Sequence, residues 1–356
     1  MTASSLTARR ATGVADYADV LDAALRKNGV SETLYHIGNN AWHREIYARA
    51  LSRPGVVVLH DAVLHHFFLG TLSRERYIEE FVYNYGEWSR GLAEDLWANR
   101  ARSAADPRYF DYPMLKRLVS VSRAVVVHNP AAERLARRHR PDARVIEIPH
   151  FFSSPPPLDP IEVLRFRQSL GLHPRTLLVG VFGHLRETKR ILTVLRAMER
   201  LWRDGADSRL LVQGSFASSD LERAVAPLLK NPLILRAGFL EPGEFWKWAA
   251  AVEVCVNLRF PSAGETSGIA VAMMGIGKTV VFSAGEEIAR IPDNACLRVD
   301  CGPAEADTLA DYLRWLAADR EAVLEIGRRA AEYIRTEHAL EKAVARYRRV
   351  LCAGIQ

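Results

Sequence analysis

The second half of the chain alternates short apolar runs with stretches in which apolar residues recur at helical spacing. The apolar runs cover residues 176–182, 210–213, 233–236, 252–257, 279–283 and 296–300. Each run has the length of a buried strand, and the stretches between the runs are long enough for helices. This alternation predicts a parallel, doubly wound sheet with helices on both faces.

The first half shows the same alternation less completely. Its strand candidates are residues 33–37, 56–60, 124–128 and 144–148. The stretch from about 70 to 112 is helical and rich in aromatic residues, which leaves open core packing or a pocket for an apolar ligand. Its aromatic residues include Tyr77, Phe81, Tyr85, Trp88 and Trp97. No apolar strand precedes Gly13, so either the first strand of this half is missing or the chain has an unusual start.

Residues 151–160 separate the two halves, and the prolines and serines of this segment prevent regular structure. We therefore expect an α/β fold of two Rossmann-like, doubly wound lobes, the first over residues 1–152 and the second over 163–335. A final helix over 336–356 could pack back on the first lobe. A ligand would lie in the cleft between the lobes, facing the C-terminal ends of the strands.

The chain of 356 residues contains 48 basic and 42 acidic residues, for a formal net charge of +6. This surplus favours anionic partners. We expect no nucleic-acid partner, because the sequence has no helix-turn-helix, RNP or zinc-finger signature. No run approaches the ~20 apolar residues of a membrane span, and no apolar stretch follows the first arginines as in a secretory signal. We therefore expect a cytoplasmic protein, and the basic final helix leaves open a peripheral contact with the inner face of a membrane.

Residues 272–279 (AMMGIGKT) satisfy the loose pattern of a phosphate-binding P-loop. Such a loop needs a strand before it and a helix after it, so that the helix N-terminus meets the phosphates. Here the helical pattern precedes the motif and the strand follows. We therefore interpret Gly275 and Gly277 as the end of a helix, and we reject the P-loop.

Four residues with metal-ligating side chains lie close together after the strand candidate at 56–60: His60, Asp61, His65 and His66. We favour the alternative that Asp61 caps the following helix, and we expect no metal site. His60, at the end of a buried strand, could contact a ligand or could be a structural histidine. The four cysteines form no CxxC pair and no zinc spacing, so we expect reduced thiols.

Two loops that follow strands of the second half are candidates for binding phosphate. Residues 183–190 (GHLRETKR) combine a glycine turn with His184, Arg186, Lys189 and Arg190 ahead of a helix. This is the chemistry of an anion site at a helix N-terminus. In the second loop, Glu265, Thr266, Ser267 and Gly268 lie where the next helix starts. The pair of loops predicts a diphosphate site, although Glu265 could instead serve only as part of a helix cap.

These segments resemble the donor lobe of family-4 retaining glycosyltransferases of the GT-B fold, in a bacterial form with a GETSG donor motif. In the second lobe the resemblance is carried by residues 183–189 (GHLRETK), 238–240 (GFL), 252–257, 261–268 (PSAGETSG) and 277–281. In the first lobe it is carried by residues 13–17 (GVADY), 35–40 (YHIGNN), 54–66 (PGVVVLHDAVLHH) and 125–135 (VVVHNPAAERL). Together these segments extend over nearly the whole chain.

The resemblance implies a role for individual residues. Lys189 would bind the donor diphosphate, Glu265 would face the transferred sugar, and His60 would lie near the reacting sugar from the first lobe. The remaining donor-binding residues that it implies are Gly13, Gly183, His184, Arg186, Phe239, Leu240, Thr266, Ser267, Gly268 and Ile269. Within this set, the amides at 267–269 would wrap the sugar and diphosphate, and Phe239 and Leu240 would meet the base.

The sequence departs from the family pattern at two places. His184 stands where the family usually has arginine, and Arg186 could compensate. The second glutamate of the family motif, which binds ribose in relatives, is absent, and Ala272 and Met273 occupy that region.

The resemblance therefore implies a metal-independent, retaining glycosyltransferase of the transferase class EC 2.4, which needs no cofactor beyond its nucleotide-sugar co-substrate. Its acceptor would be a glycan, a lipid-linked molecule or a small metabolite. The two departures keep open a non-catalytic GT-B auxiliary or a glycan- or nucleotide-binding protein. A sugar-nucleotide epimerase fits the motifs less well, and a P-loop ATPase fits them least.

Overall fold

The computed structural model describes residues 5–6, 13–29 and 32–352, and these residues form two lobes with a cleft between them. The first lobe contains strands β1 (Ser5–Leu6), β2 (Leu34–Ile37), β3 (Val56–Leu59), β4 (Ala124–Val127) and β5 (Val145–Glu147). Its helices are α1 (Gly13–Lys27), α2 (Arg44–Ser52), α3 (His65–Thr71), α4 (Arg74–Tyr85), α5 (Arg90–Ala98), α6 (Lys116–Val121) and α7 (Pro130–His139).

The five strands of the first lobe form a parallel sheet in chain order, β1-β2-β3-β4-β5. The two residues of β1 pair with Leu34 and Tyr35, so a short strand does precede Gly13, and the first strand of this lobe is not missing. The pairing rests on main-chain hydrogen bonds. A strand this short presents no apolar run that a sequence pattern could reveal.

Alternate residues of this sheet face two different apolar cores, as the two-residue period of a strand requires. Val57 and Leu59 point into a core that α2 to α7 cover. Val56 and Val58 point into a second core on the opposite face. There α1 packs together with the last helix of the chain, α15 (Leu340–Cys352), which contributes Ala343, Val344, Tyr347, Val350 and Leu351.

The aromatic segment between β3 and β4 is mainly a packing element. Tyr77 and Phe81 on α4 are fully buried in the first-lobe core, and Tyr85 and Trp97 pack against it. Trp88 is exposed. The core-packing alternative therefore describes most of this segment.

The second lobe contains strands β6 (Leu177–Phe182), β7 (Ser208–Gln213), β8 (Ile234–Ala237), β9 (Val254–Asn257), β10 (Thr279–Ser283) and β11 (Leu297–Val299). Its helices are α8 (Pro160–Ser169), α9 (Ile191–Arg203), α10 (Ser219–Val225), α11 (Pro242–Ala251), α12 (Gly268–Gly275), α13 (Glu305–Ala318) and α14 (Arg320–Glu337). The final helix, α15, begins later than residue 336 because α14 continues to Glu337.

The six strands of the second lobe form a parallel sheet in the order β11-β10-β9-β6-β7-β8. Helices α9, α10 and α13 cover one face, and α8, α11, α12 and α14 cover the other. The order of the strands reverses between β6 and β9. In doubly wound sheets a ligand binds outside the carboxyl ends of the strands at such a reversal, so the loops after β6 and β9 are the expected binding elements.

The chain crosses between the lobes twice, and the two crossings are hydrogen-bonded to each other. On the first crossing the amide of Phe152 donates to the carbonyl oxygen of His338 on the second, at 2.8 Å. The Nδ1 of His338 lies 2.6 Å from the carbonyl oxygen of His150. Phe152 and Ala339 also form an isolated parallel bridge.

Candidate functional site

A cleft of about 580 Å³ lies between the lobes at the carboxyl ends of both sheets. The residues of the family resemblance that line it are Gly13, His60, His184, Arg186, Lys189, Glu265, Thr266, Ser267, Gly268 and Ile269. Residues from the loop after β6, the loop after β9 and the first lobe thus meet in one cleft, as the sequence predicts for a doubly wound fold.

The loop after β6 carries Lys189, which is almost completely buried. Its Nζ donates a hydrogen bond to the carbonyl oxygen of Phe182, the last residue of β6. Burial and the nearby Arg259 and Arg186 lower the pKa of Lys189 to about 7. Lys189, Arg186 and Arg259 thus bring three basic side chains to one cleft, which suits an anionic ligand.

Gly183 opens this loop with a positive φ of 89°. A Cβ at this position would lie 2.5 Å from Cδ1 of Ile269 and 3.3 Å from Nζ of Lys189. The positive φ therefore favours glycine at this position, and the missing side chain lets the loop lie close to Ile269 and Lys189. His184 is exposed in the same loop, with its Nδ1 3.4 Å from Oγ of Ser215.

The loop after β9 carries Glu265 and a partner that the sequence pattern did not single out. The Nη1 of Arg259 donates to Oε1 of Glu265 at 2.7 Å, and the amide of Ala263 donates to Oε2 at 2.8 Å. Burial alone would raise the pKa of Glu265, but Arg259, hydrogen bonds from backbone amides and Arg186 hold it below its ordinary value. Glu265 is therefore an ionised carboxylate in the cleft, and it could still accept hydroxyl groups of a ligand.

Helix α12 begins at Gly268 and directs its first turn at the cleft. Ser267 caps the helix, because its side chain accepts a hydrogen bond from the amide of Ala270 at 3.3 Å. The amides that precede Ala270 have no partner within the helix, and they add partial positive charge beside Lys189. This end of the cleft is thus suited to a phosphate group.

The first lobe presents His60 and Asp61 to the same cleft. The prediction that Asp61 caps the next helix is wrong, because α3 begins only at His65. Its Oδ2 accepts a hydrogen bond from the amide of Asn39 at 2.7 Å, and the Asn39 side chain accepts one from the amide of Phe67 at 2.8 Å. Asp61 is thereby available to the cleft. Burial and then Glu265 raise its pKa to about 6.

His60 belongs to a cluster of imidazole rings at the carboxyl ends of successive first-lobe strands. The Nε2 of His60 and Nδ1 of His36 share a hydrogen bond of 3.0 Å. Tyr17 on α1 lies in the centre of the cluster, with its ring 5.1 Å from those of His60 and His128 and 4.8 Å from that of His150. Burial, followed by the neighbouring histidines, lowers the pKa of His60 well below its ordinary value. His60 is therefore a neutral hydrogen-bonding group at neutral pH.

The structure places other sequence predictions outside the cleft or within the core. Phe239 is 78% exposed, and neither it nor Leu240 lines the cleft. Instead, Phe245 and Trp246 on α11 form part of the wall. Ala272 lines the cleft, whereas Met273 is fully buried. The signal that could have found Trp246 is its position on the helix after the GFL segment.

No group of three or more His, Cys, Asp or Glu side chains is placed to hold a metal ion within the described part of the chain. His65 turns into the core, where its Nε2 lies 2.6 Å from the hydroxyl of Tyr77. His66 lies against the carbonyl oxygen of Ser103, at 3.2 Å from its Nε2. The four clustered residues of the sequence thus point in different directions.

The segment with the P-loop pattern has a structural role, because a helix precedes it and a strand follows it. Helix α12 ends at Gly275, and β10 begins at Thr279. Between them, Lys278 donates its Nζ to the carbonyl oxygen of Ala250 at 2.6 Å, and the hydroxyl of Thr279 donates to Val323. Among the helices that the structure describes, none is long and apolar enough to cross a membrane.

Comparison with solved structures defines the class of fold as that of the GT-B glycosyltransferases. HepE from Anabaena, crystallised with UDP-glucose, matches with a TM-score of 0.67 and 12% identity, over 99% of this chain and 99% of that one. WaaG, a glycosyltransferase involved in lipopolysaccharide biosynthesis, matches with a TM-score of 0.62 and 13% identity, over 97% of this chain and 98% of that one. Sucrose-phosphate synthase from Thermosynechococcus elongatus matches with a TM-score of 0.63 and 17% identity, over 96% of this chain and 78% of that one. No family model and no curated protein sequence matches this chain.

Proposed function

We propose that the chain is a family-4 glycosyltransferase that moves a sugar from a nucleoside-diphosphate donor to a hydroxyl group of an acceptor. The observation that carries this proposal is the cluster of Lys189, Arg186 and Arg259 at the strand reversal of the second lobe. A diphosphate is the anion that this cluster fits. The N-terminus of α12 stands beside it, and Glu265 lies next to the place where an attached sugar would project. HepE, which has the same fold, binds UDP-glucose, and this supports the choice of donor class.

In this proposal the chemistry is group transfer with retention of configuration. The bond between the anomeric carbon and the diphosphate oxygen breaks, and its electron pair leaves with the diphosphate. Lys189, Arg186 and the first amides of α12 would stabilise the developing charge. The acceptor hydroxyl would attack from the same face, and its proton would pass to the departing phosphate oxygen. Retention rests on the family resemblance.

The positive charge already present in the cleft supports a transfer that needs no resident metal ion. Glu265 would orient the sugar through its hydroxyl groups, and His60 would contact the sugar from the first lobe as a neutral imidazole. Lobe closure would exclude water, so that the acceptor competes against less hydrolysis. The acceptor would be a glycan, a lipid-linked molecule or a small metabolite, with contact at a membrane surface in the second case.

Calorimetric titration with UDP, GDP, dTDP and ADP in the absence of metal tests the donor site. We expect one nucleotide to bind, and Lys189→Ala to weaken its binding by about 1–3 kcal/mol, the range for a charge-assisted hydrogen bond. Lys278→Ala is the matched control, because it removes another largely buried lysine that lies outside the cleft. Equal losses in both variants would mean that Lys189 acts only through the fold. Absence of binding by all four nucleotides would contradict the proposal.

A non-catalytic nucleotide- or glycan-binding protein is the second candidate. Glu265 supports it, because both of its carboxylate oxygens already accept hydrogen bonds, from Arg259 and Ala263. Ala272 supports it too, since this position offers no carboxylate to a ribose. Release of free sugar from the preferred nucleotide sugar, at a rate that Glu265→Gln lowers, would exclude this candidate. Binding without turnover towards water or any acceptor would favour it.

A further inference from the structure

The loop that carries Glu265 is held by the opposite lobe. The amide of Ala62, just after β3, donates a hydrogen bond to the carbonyl oxygen of Ala263 at 2.8 Å. The Nδ2 of Asn129, just after β4, donates to the carbonyl oxygen of Gly264 at 3.0 Å and to the hydroxyl of Thr266 at 2.9 Å. The residues on both sides of Glu265 are thus bound to the first lobe.

Asn129 is well placed to link the position of the first lobe to the conformation of the Glu265 loop. It is 3% exposed, and its Oδ1 accepts a hydrogen bond from the amide of Ala132, which caps α7. The cap fixes the side chain, so that its two amide hydrogens point across the cleft. Asn129 therefore couples a helix of one lobe to the loop that a donor sugar would meet.

Close packing supports the same arrangement. Gly264 adopts a positive φ of 71°, and a Cβ there would lie 2.9 Å from the Cβ of Ala62. The loop backbone thus lies directly against the first lobe. Separation of the lobes would break all three hydrogen bonds at once, since every donor lies on the first lobe and every acceptor on the loop.

We infer that Asn129 is a positioning residue that sets the Glu265 loop in its sugar-binding form only when the lobes are closed. This inference rests on the proposed function for its ligand, and it deepens that function by linking sugar recognition to closure. Diphosphate binding through Lys189 lies within the second lobe and does not need the contact. Binding of the sugar does, because the first lobe holds the residues on both sides of Glu265.

The test compares Asn129→Ser with the wild-type protein. Serine keeps a helix-capping oxygen and removes the two amide hydrogens that reach the loop. Glu286→Gln is the matched control, because it breaks the exposed ion pair between Arg134 on the first lobe and Glu286 on the second, away from the cleft. Hydrogen exchange of residues 262–267 is the first readout, and the affinities for UDP and UDP-glucose are the second.

We expect exchange at 262–267 to be about ten-fold faster in Asn129→Ser, the effect of losing two hydrogen bonds of ordinary strength, and unchanged in Glu286→Gln. We expect the affinity for UDP to stay within about two-fold, while the extra affinity for UDP-glucose over UDP disappears. Exchange equal to that of the wild-type protein would overturn the inference.

Faster exchange with the extra affinity for UDP-glucose retained would overturn it as well. If the wild-type protein bound neither UDP nor UDP-glucose, the use of a uridine donor would fail. The exchange experiment would still decide whether Asn129 holds the loop, because it needs no ligand.

Discussion

The Nζ of Lys189 donates a hydrogen bond to the carbonyl oxygen of Phe182 at the end of β6, beside the reversal of strand order in the second lobe. This contact holds the amine under the cleft. A carbonyl oxygen compensates a buried ammonium group only in part, which is why burial lowers the pKa of Lys189 to about 7.

Binding of a nucleoside diphosphate is therefore expected to take up a proton. The anion favours the charged form of Lys189 and raises its pKa, so affinity should fall as pH rises above about 7. Calorimetry in two buffers of different ionisation enthalpy measures the proton uptake directly. Lys189→Ala should abolish the uptake, and Lys278→Ala should retain it. Affinity that does not change between about pH 6 and 9 would contradict the assignment.

Asp61→Asn is expected to stabilise the fold above neutral pH. The pKa of Asp61 is raised to about 6 by burial and then by Glu265, so the folded state loses stability as pH rises from the ordinary value of 3.8 through 6. Asparagine removes this cost and keeps an oxygen for the amide of Asn39. We expect a gain of about 1 kcal/mol in urea unfolding at pH 7.5 and none at pH 4.

The control for this prediction is Asp220→Asn, a change at an exposed aspartate on α10. It should leave the pH dependence of stability unchanged. A loss of stability in Asp61→Asn at pH 7.5 would show that the carboxylate is structural rather than reserved for a ligand.

The histidine cluster around Tyr17 should make the protein sensitive to mild acid. Burial, followed by nearby histidines, lowers the pKa of His36 and of His150 to about 3. Burial also lowers that of His128 to about 4. The unfolded chain takes up protons below its ordinary histidine pKa of 6.5, while the folded chain does not. The folded state therefore has its full stability above about pH 6.5. As the pH falls below this value, the free energy of unfolding decreases by about 1.4 kcal/mol per pH unit for each histidine that stays neutral in the fold.

His36→Gln tests this dependence. The variant should be less stable at pH 7, because the hydrogen bond to His60 is lost. The number of protons taken up on unfolding sets the slope of the unfolding free energy against pH. Between about pH 6 and 5 this number should decrease by about one. The groups that face this cluster are His43, His60, His128, His150, His338 and Tyr347. An unchanged slope would mean that His36 already titrates normally in the fold.

Gly264→Ala is expected to force the lobes apart. The added Cβ would lie 2.9 Å from the Cβ of Ala62 and 3.2 Å from Cδ1 of Leu135. Alanine also adopts a φ of 71° only at a cost in free energy. The cost should be about 1 kcal/mol or more, and small-angle scattering should give a larger radius of gyration. Gly91→Ala on α5, where a Cβ meets nothing, should leave the radius unchanged. A Gly264→Ala protein as compact as the wild type would contradict the tight interlobe contact.

The sequence pattern was sufficient for the fold because both sheets are parallel and buried on both faces. Runs such as 177–182 are therefore apolar throughout and stand out. The predicted strands also pointed to Lys189 and Glu265, because both residues follow strands whose carboxyl ends lie at the same edge of the sheet. The prediction failed for β1, whose two residues carry no pattern.

Sequence reasoning also failed where a contact joins distant positions. Aspartate is a residue type that often caps helices, which is why the sequence predicts a cap at Asp61. The fold instead places Asn39 beside it, and Asp61 accepts a hydrogen bond from the Asn39 amide. Asn129 caps α7, and its contacts with Gly264 and Thr266 join residues far apart in the chain. No local periodicity encodes how two lobes meet.

The paired crossings between the lobes define how the molecule can move. Because the segment at Phe152 is hydrogen-bonded to the segment at His338, the lobes share a two-stranded tether rather than a single flexible joint. This paired connection restrains the lobes from moving apart or twisting against each other. The motion that it restrains least is a rotation of one lobe about the axis through the two crossings. The two lobes should therefore open by rotation about the line of the two crossings, and this rotation would draw Ala263 and Gly264 away from Ala62 and Asn129.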